Sequence, residues 1–363
     1  MRKDRLAFLE ELLASRGPSG FEEQPQAVIR ERMGTVCDDV LTDVHGNVMG
    51  GVNTGASLRV MLAGHVDEIG LMVSHIDENG YLFFGSIGGF DVTVLPGQRV
   101  IVHGEKGPVQ GVIGRKPIHV LTDEERKQLP KMEDLFIDIG AEDAKEAGKH
   151  VRVSDAVTID AEAKRLLNGL MASRGFDDRS GAFVVTETLL EVAKRKPKVA
   201  LWSVSTVQEE VGLRGARTSA YGIDPHVGIA VDVGFTSDYP GIDKRKLGDN
   251  KVGAGPIIAR GPNINPVVFE GLSRVAKAKK IPHQFEAAPR ATGTDANAIQ
   301  VSRAGVAAAL ISVPNRYMHS PNEVCSLKDL DNCIRLLTEY VLSLSARDSF
   351  IPGRAKAAKR RRK

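Results

Sequence analysis

Leu6, Phe8, Leu9, Leu12 and Leu13 recur at helical spacing near the amino terminus, and Gly17-Pro18 stops that helix. Ser19 followed by Glu22 resembles a capping box and predicts a second helix running to Met33. Asp43-Val44-His45-Gly46-Asn47 is turn chemistry. The run 58–63 then reads as a buried strand that delivers His65 and Asp67 at its end. Residues two apart on a strand share a face, so these two side chains are expected to point the same way.

From 69 to 163 the texture changes. Short alternating runs, Val100–Val102, Val109–Ile113, Leu135–Ile139 and Val151–Val153, are separated by Gly, Pro and charged turns. They predict a small all-β domain. After Leu170 helices and strands alternate again. Helices are expected at Gly181–Lys194, Pro266–Lys279 and Leu327–Leu344, and strands at Val199–Thr206, Val227–Ala230 and Ala307–Val313. The fold class is therefore α/β. Residues 1–68 and 164–349 form one discontinuous domain, 69–163 an inserted β-barrel-like domain, and 350–363 a disordered basic tail.

Composition changes this picture little. A chain of 363 residues, 42% hydrophobic and 26% charged, is ordinary for a soluble globular protein large enough for two domains. The net charge of +3 misleads when taken whole. Seven basic residues and no acids lie between Arg354 and Lys363, leaving 3 − 7 = −4 for the rest. Such a tail can touch anions or nucleic acid non-specifically, and no specific nucleic-acid partner is expected. No apolar run approaches the roughly 20 residues that cross a bilayer. Acids at Asp4, Glu10 and Glu11 make the amino terminus an amphipathic helix and not a secretory signal. Cys37, Cys325 and Cys333 have no CxxC spacing, which favours a reducing cytoplasm.

The chemistry lies in five short polar signatures, each where an apolar run ends: Gly64-His65-Val66-Asp67-Glu68, Phe176-Asp177-Asp178-Arg179, Gln208-Glu209-Glu210-Val211-Gly212, Val231-Asp232-Val233-Gly234 and Tyr317-Met318-His319-Ser320. Alternating α/β folds gather function at the carboxyl ends of strands. Two histidines and several carboxylates are ligands suited to zinc, cobalt or manganese. A two-metal hydrolase needs a bridging carboxylate, terminal ligands for each ion and a general base beside the attacking water. Adjacent Glu209 and Glu210 diverge at a strand end, so one suits a metal and its neighbour the water. Asp67 is placed to orient the His65 ring. Asp232 interrupts an apolar run, where an unpaired carboxylate would be costly. Either carboxylate of Asp177-Asp178 could instead cap the helix that follows.

The chain resembles the M42 family of metallopeptidases, the glutamyl and deblocking aminopeptidases, whose relatives have also been labelled endoglucanases. The segments carrying the resemblance are 18–22 (PSGFE), 63–70 (AGHVDEIG), 176–181 (FDDRSG), 207–216 (VQEEVGLRGA), 230–234 (AVDVG), 292–296 (TGTDA) and 316–321 (RYMHSP). It implies a phosphorylase/hydrolase-like mixed-sheet catalytic domain flanked by helices, with an inserted β-domain used in dimerisation. It also implies two divalent ions per subunit, zinc first, with cobalt or manganese also accepted. Asp177 would bridge them, His65 and Asp232 would complete one site, and Glu210 and His319 the other. Glu209 would be the general base and acid toward a metal-bridging water, and Asp67 the partner of His65. Peptides would be the substrates, and homo-oligomers from dimers to tetrahedral dodecamers the assembly. A co-catalytic metal amidase or deacylase shares every ligand and is the alternative, with a metal-free glycoside hydrolase behind it. Part of the substrate pocket is expected near Thr292–Asp295 and Arg316-Tyr317.

Overall fold

The computed structural model describes residues 1–37 and 39–353, so the basic tail from Arg354 onward lies outside the described residues. Eleven strands form one mixed sheet. At its centre four strands run parallel and side by side, in the order Ala200–Thr206, Arg59–His65, Val227–Phe235, Ala307–Arg316. Their near-continuous apolar sequences suit a sheet covered on both faces. Residues 60–65 and 227–234 are all buried.

The two faces are covered by different helices. A Cβ on Gly64 would lie 2.4 Å from the backbone of Gly181, so the helix Phe176–Ala193 packs directly on that strand. Gly228, which registers with Met61 and so faces the other way, lies against Ile299 of the helix Asp295–Gln300. The helix Phe176–Ala193 is buried along almost its whole length, with the helices Lys3–Ala14, Glu23–Gly34 and Leu327–Ser343 packed around it. The stripe Phe8, Leu9, Leu12 and Leu13 faces this core.

Six antiparallel strands close into a separate barrel in the order Gly70–Ile76, Leu82–Ile87, Phe136–Asp138, Gly107–Gly114, Arg99–Gly104, Ala156–Ile159. It has its own core of Leu71, Val73, Leu82, Val100, Val102, Ile113, Leu135, Ile137 and Val157. The fold is thus the expected mixed α/β architecture with a small all-β unit inserted into it.

Several local expectations change. Val151–Val153 is not a strand. The Asp155 carboxylate accepts the Arg152 amide at 2.9 Å, making a turn, and pairing begins at Ala156. The second helix starts at Glu23 with no side-chain cap from Ser19, whose hydroxyl is used elsewhere. The strand from Val227 continues past Ala230 to Phe235, which carries Asp232 inside the sheet.

Candidate metal centre

Strand register brings the first ligand candidates level. Ala63 pairs with Ala230 and Val204, so His65 and Asp232 follow two residues on at the same height, with Thr206 beside His65. The loop after Thr206 supplies Glu209 and Glu210, and the loop after Arg316 supplies His319. The helix Phe176–Ala193 brings Asp177 and Asp178 in a first turn with non-helical backbone angles and a cis peptide between them. A Cβ on Gly181 would lie 2.2 Å from the Asp178 carboxylate and 2.4 Å from the Val231 carbonyl. Only glycine lets the helix start this close to the sheet.

Asp177 stands between the two imidazoles. Its Oδ1 is 3.2 Å from His65 Nε2 and its Oδ2 is 3.2 Å from His319 Nε2. His319 Nε2 also lies 3.5 Å from Glu210 Oε1, and His65 Nε2 lies 3.8 Å from Glu209 Oε2. Ligand atoms of His65, Asp177 and Glu210 fall within 4.8 Å of one another, as do those of His65, Asp178 and Asp232. Asp178 is nevertheless committed to the fold. Its Oδ1 accepts the Gly181 amide at 2.8 Å and its Oδ2 the His65 amide at 3.2 Å. The pair therefore divides: Asp178 caps the helix and Asp177 faces the imidazoles.

Asp67 is fully buried behind His65. The His65 Nδ1 lies 3.1 Å from the Asp67 carbonyl and 3.4 Å from its Oδ1. The Asp67 carboxylate also accepts the Glu209 amide at 3.1 Å, the Glu210 amide at 3.3 Å and the Ser19 hydroxyl at 2.6 Å. One side chain thus positions the imidazole and both glutamates.

The electrostatics show what the cluster lacks. Five carboxylates, Asp177, Glu209, Glu210, Asp232 and Glu286, line one cleft with two imidazoles. Burial pushes Glu209 up to about 10, with repulsion from Asp232, Asp295 and Glu210 adding to it against the attraction of His65. Burial, then Asp177, raises Glu210 to about 7, and the same two causes lift Asp232 well above the carboxylate range. Burial opposes ionisation of Asp177 too, but His319 and His65 outweigh it and hold it below its ordinary value. The hydrogen bond to Asp177 lifts His319 to about 9, and carboxylates raise His65 despite its burial. Glu210 Oε1 is buried without a hydrogen bond. These acids can be ionised together only beside added positive charge, and mixed His and carboxylate donors suit divalent cations such as zinc.

One contributor, Glu323, was not singled out in the sequence, and Asp295 was expected only as part of a pocket. Glu323, 2% exposed, accepts the Asp177 amide at 2.8 Å and the His319 amide at 3.0 Å, tying two ligand candidates together. Its local signal was an acid opening the short buried strand Glu323–Ser326. Asp295, also buried, accepts the Thr206 hydroxyl at 2.6 Å.

The cluster opens into a cleft of about 260 Å³ whose far wall includes Glu286, Thr292–Thr294, Leu310 and Met318. Of the two segments expected to help form a pocket, Thr292–Thr294 line this cleft. Arg316 does not, because it turns away to pair with Asp238 at 2.6 Å.

A mixed α/β sheet whose parallel strands end in clustered His, Asp and Glu, with a barrel inserted beside the cluster, defines a class of α/β peptidases. The chain belongs to the M42 glutamyl aminopeptidase family, whose profile matches residues 46–336, and it is a hydrolase acting on peptides. It is 38% identical to a lysyl aminopeptidase of Pyrococcus furiosus over 94% of this chain and 98% of that one. Its fold matches the crystal structure of a TET aminopeptidase from a marine-sediment Thaumarchaeota archaeon with a TM-score of 0.91 at 37% identity, covering 94% of this chain and 97% of that chain. A TET1 peptidase of Pyrococcus horikoshii, described as assembling into a tetrahedron or a large octahedral shell, matches with a TM-score of 0.83 at 30% identity over 94% and 100%.

Proposed function

We propose that this protein is a dinuclear metal-dependent aminopeptidase that removes amino-terminal residues from peptides. The observation that carries the reading is Asp177, with one carboxylate oxygen 3.2 Å from each of two imidazoles. That is the arrangement a carboxylate shared between two ions requires. His65 and Asp232 would hold one ion, and Glu210 and His319 the other, with zinc first among the candidates and cobalt or manganese next. Bound there, the ions would supply Lewis acidity and lower the pKa of water, to about 7 for zinc.

The protein's own groups do the rest. Beside added positive charge the Glu209 carboxylate, otherwise pushed up by burial and neighbouring acids, is ionised and can take up a proton. It accepts one from the attacking water and returns it to the leaving amine. Asp67 keeps the His65 ring and the Glu209–Glu210 backbone in register during this exchange. Glu323 does the same for Asp177 and His319.

The assembly proposed is a homo-oligomer built from dimers through the inserted barrel, following the relatives that form closed shells. A cytoplasmic location is supported by the buried thiols Cys325 and Cys333. Among the described residues no helix is long and apolar enough to cross a membrane. The test is chelation followed by zinc, cobalt or manganese in turn, read on aminoacyl anilides. Cleavage should disappear and return, and cleavage that survives complete chelation refutes the metal-dependent reading. The family carries a glutamyl name and the Pyrococcus furiosus relative a lysyl one. Choice between acidic and basic amino-terminal residues must therefore come from this chain's own cleft.

A further inference from the structure

The cleft beside the metal centre contains one carboxylate that the proposed reaction leaves unused. Glu286 lies on the strand Gln284–Ala287, which pairs in parallel with Ile257–Arg260. Alternation along the strand sets Phe285 on the opposite face, where its ring stacks 5.7 Å from Phe269 and 5.2 Å from His283. Glu286 turns the other way and lines the cleft shared by His65, Asp177, Asp232 and His319.

Among the described residues Glu286 has no ion-pair or side-chain hydrogen-bond partner, and burial alone raises it above its ordinary value. A half-desolvated, unpaired acid costs stability that a cationic partner would recover. No lysine or arginine lines the cleft among the described residues, so an acidic substrate side chain directed at Glu286 would meet like charge there. Leu310, Val233, Phe235 and Met318 line the same cleft and supply apolar surface. A side chain with a hydrocarbon stem and a charged head fits both features, since such residues bury the stem and keep the head polar.

We propose that Glu286 makes this cleft selective for peptides whose amino-terminal residue is lysine or arginine. The proposal rests on the aminopeptidase reading and adds its substrate class. Glu286 is a specificity residue. It accepts the ammonium or guanidinium of the first side chain while the scissile carbonyl lies at the metal centre.

The test uses the metal-loaded enzyme and four anilides, lysyl, arginyl, norleucyl and glutamyl. Norleucine keeps the lysine stem without the ammonium. A charge-assisted hydrogen bond in a partly desolvated site predicts lysyl over norleucyl by about 10- to 100-fold in kcat/KM. Glu286→Gln should bring that ratio to within about threefold of unity, because its uncharged amide cannot pair with the cation. Glu286→Lys should place glutamyl above lysyl. A lysyl-to-norleucyl ratio equal in wild type and Glu286→Gln overturns the assignment, as does a wild-type preference for glutamyl. Cleavage of norleucyl but not lysyl anilide overturns it while leaving the aminopeptidase reading intact. Failure to cleave any of the four with any of the three metals removes both.

Discussion

Two buried charge clusters sit on either side of the junction where the chain leaves the α/β sheet for the barrel, and they are built on opposite plans. In the first, Glu68 meets Arg174 through one carboxylate oxygen and Arg179 at 2.8 Å through the other. Other guanidinium donors reach the carbonyls of Leu13, Ser15 and Val66, while Arg174 Nε is buried without a hydrogen bond. Burial would raise Glu68, but Arg174 and Arg179 prevail and lower it to about 2. In the second cluster, one residue away at Asp67, acids outnumber bases and several are pushed upward. In the first cluster the acid is neutralised by arginines of the fold itself, so it belongs to the architecture. In the second, carboxylates exceed the positive charge the fold supplies, which is what the proposed metal centre requires.

The sharpest way to break this contrast is at Glu209. Replacing it with Gln keeps shape and burial but removes the proposed proton carrier, so kcat on an aminoacyl anilide should fall by about 10²- to 10⁴-fold. Its urea midpoint should stay close to wild type, since Glu209 has no ion-pair partner comparable to those of Glu68. Wild-type turnover in that variant would remove Glu209 from its role.

Glu68 should behave the other way. Glu68→Ala strands two buried guanidinium groups and should lower unfolding free energy by about 3–5 kcal/mol, with added zinc failing to compensate. The pH dependence sharpens the point. Glu68 has a folded pKa near 2, below its ordinary 4.5, so its contribution is in place above pH 4.5 and is lost as pH falls through 2. Urea unfolding across that window should show wild type losing about 3 kcal/mol that the variant never had. Parallel curves would show that the arginines do not hold this acid.

The smallest effect is expected at Ser19. Ser19→Ala removes one of the donors to Asp67, worth about 1 kcal/mol, and should lower kcat several-fold while leaving KM nearly unchanged. A change in KM alone would place Ser19 on the substrate side instead.

How much was legible beforehand follows a physical divide. Local signals act over a few residues: the helical stripe of Leu6 to Leu13, the Asp43 turn whose carboxylate accepts the His45 and Asn47 amides, and the alternating runs of the barrel. These were readable because hydrophobic period and turn chemistry work within one segment. Candidate ligands stood out because polar groups at the ends of apolar strands conflict with their surroundings. The reading failed where a side chain had two competing uses. Ser19 looked like a helix cap, yet its hydroxyl bonds Asp67, 48 residues away. Asp177 and Asp178 were interchangeable as letters, and only the position of Gly181 and the His65 amide makes one a cap. Glu323 and Glu286 drew no notice because neither belongs to a motif.

By itself, then, the sequence determined the alternation of elements, the inserted barrel and the residue types available for a metal centre, because each depends on short-range pattern. Tertiary structure alone decided which acids share a cleft, which are neutralised by arginine and which remain unpaired. Those outcomes depend on burial and on distances of a few ångströms between segments more than a hundred residues apart, and no local pattern encodes them.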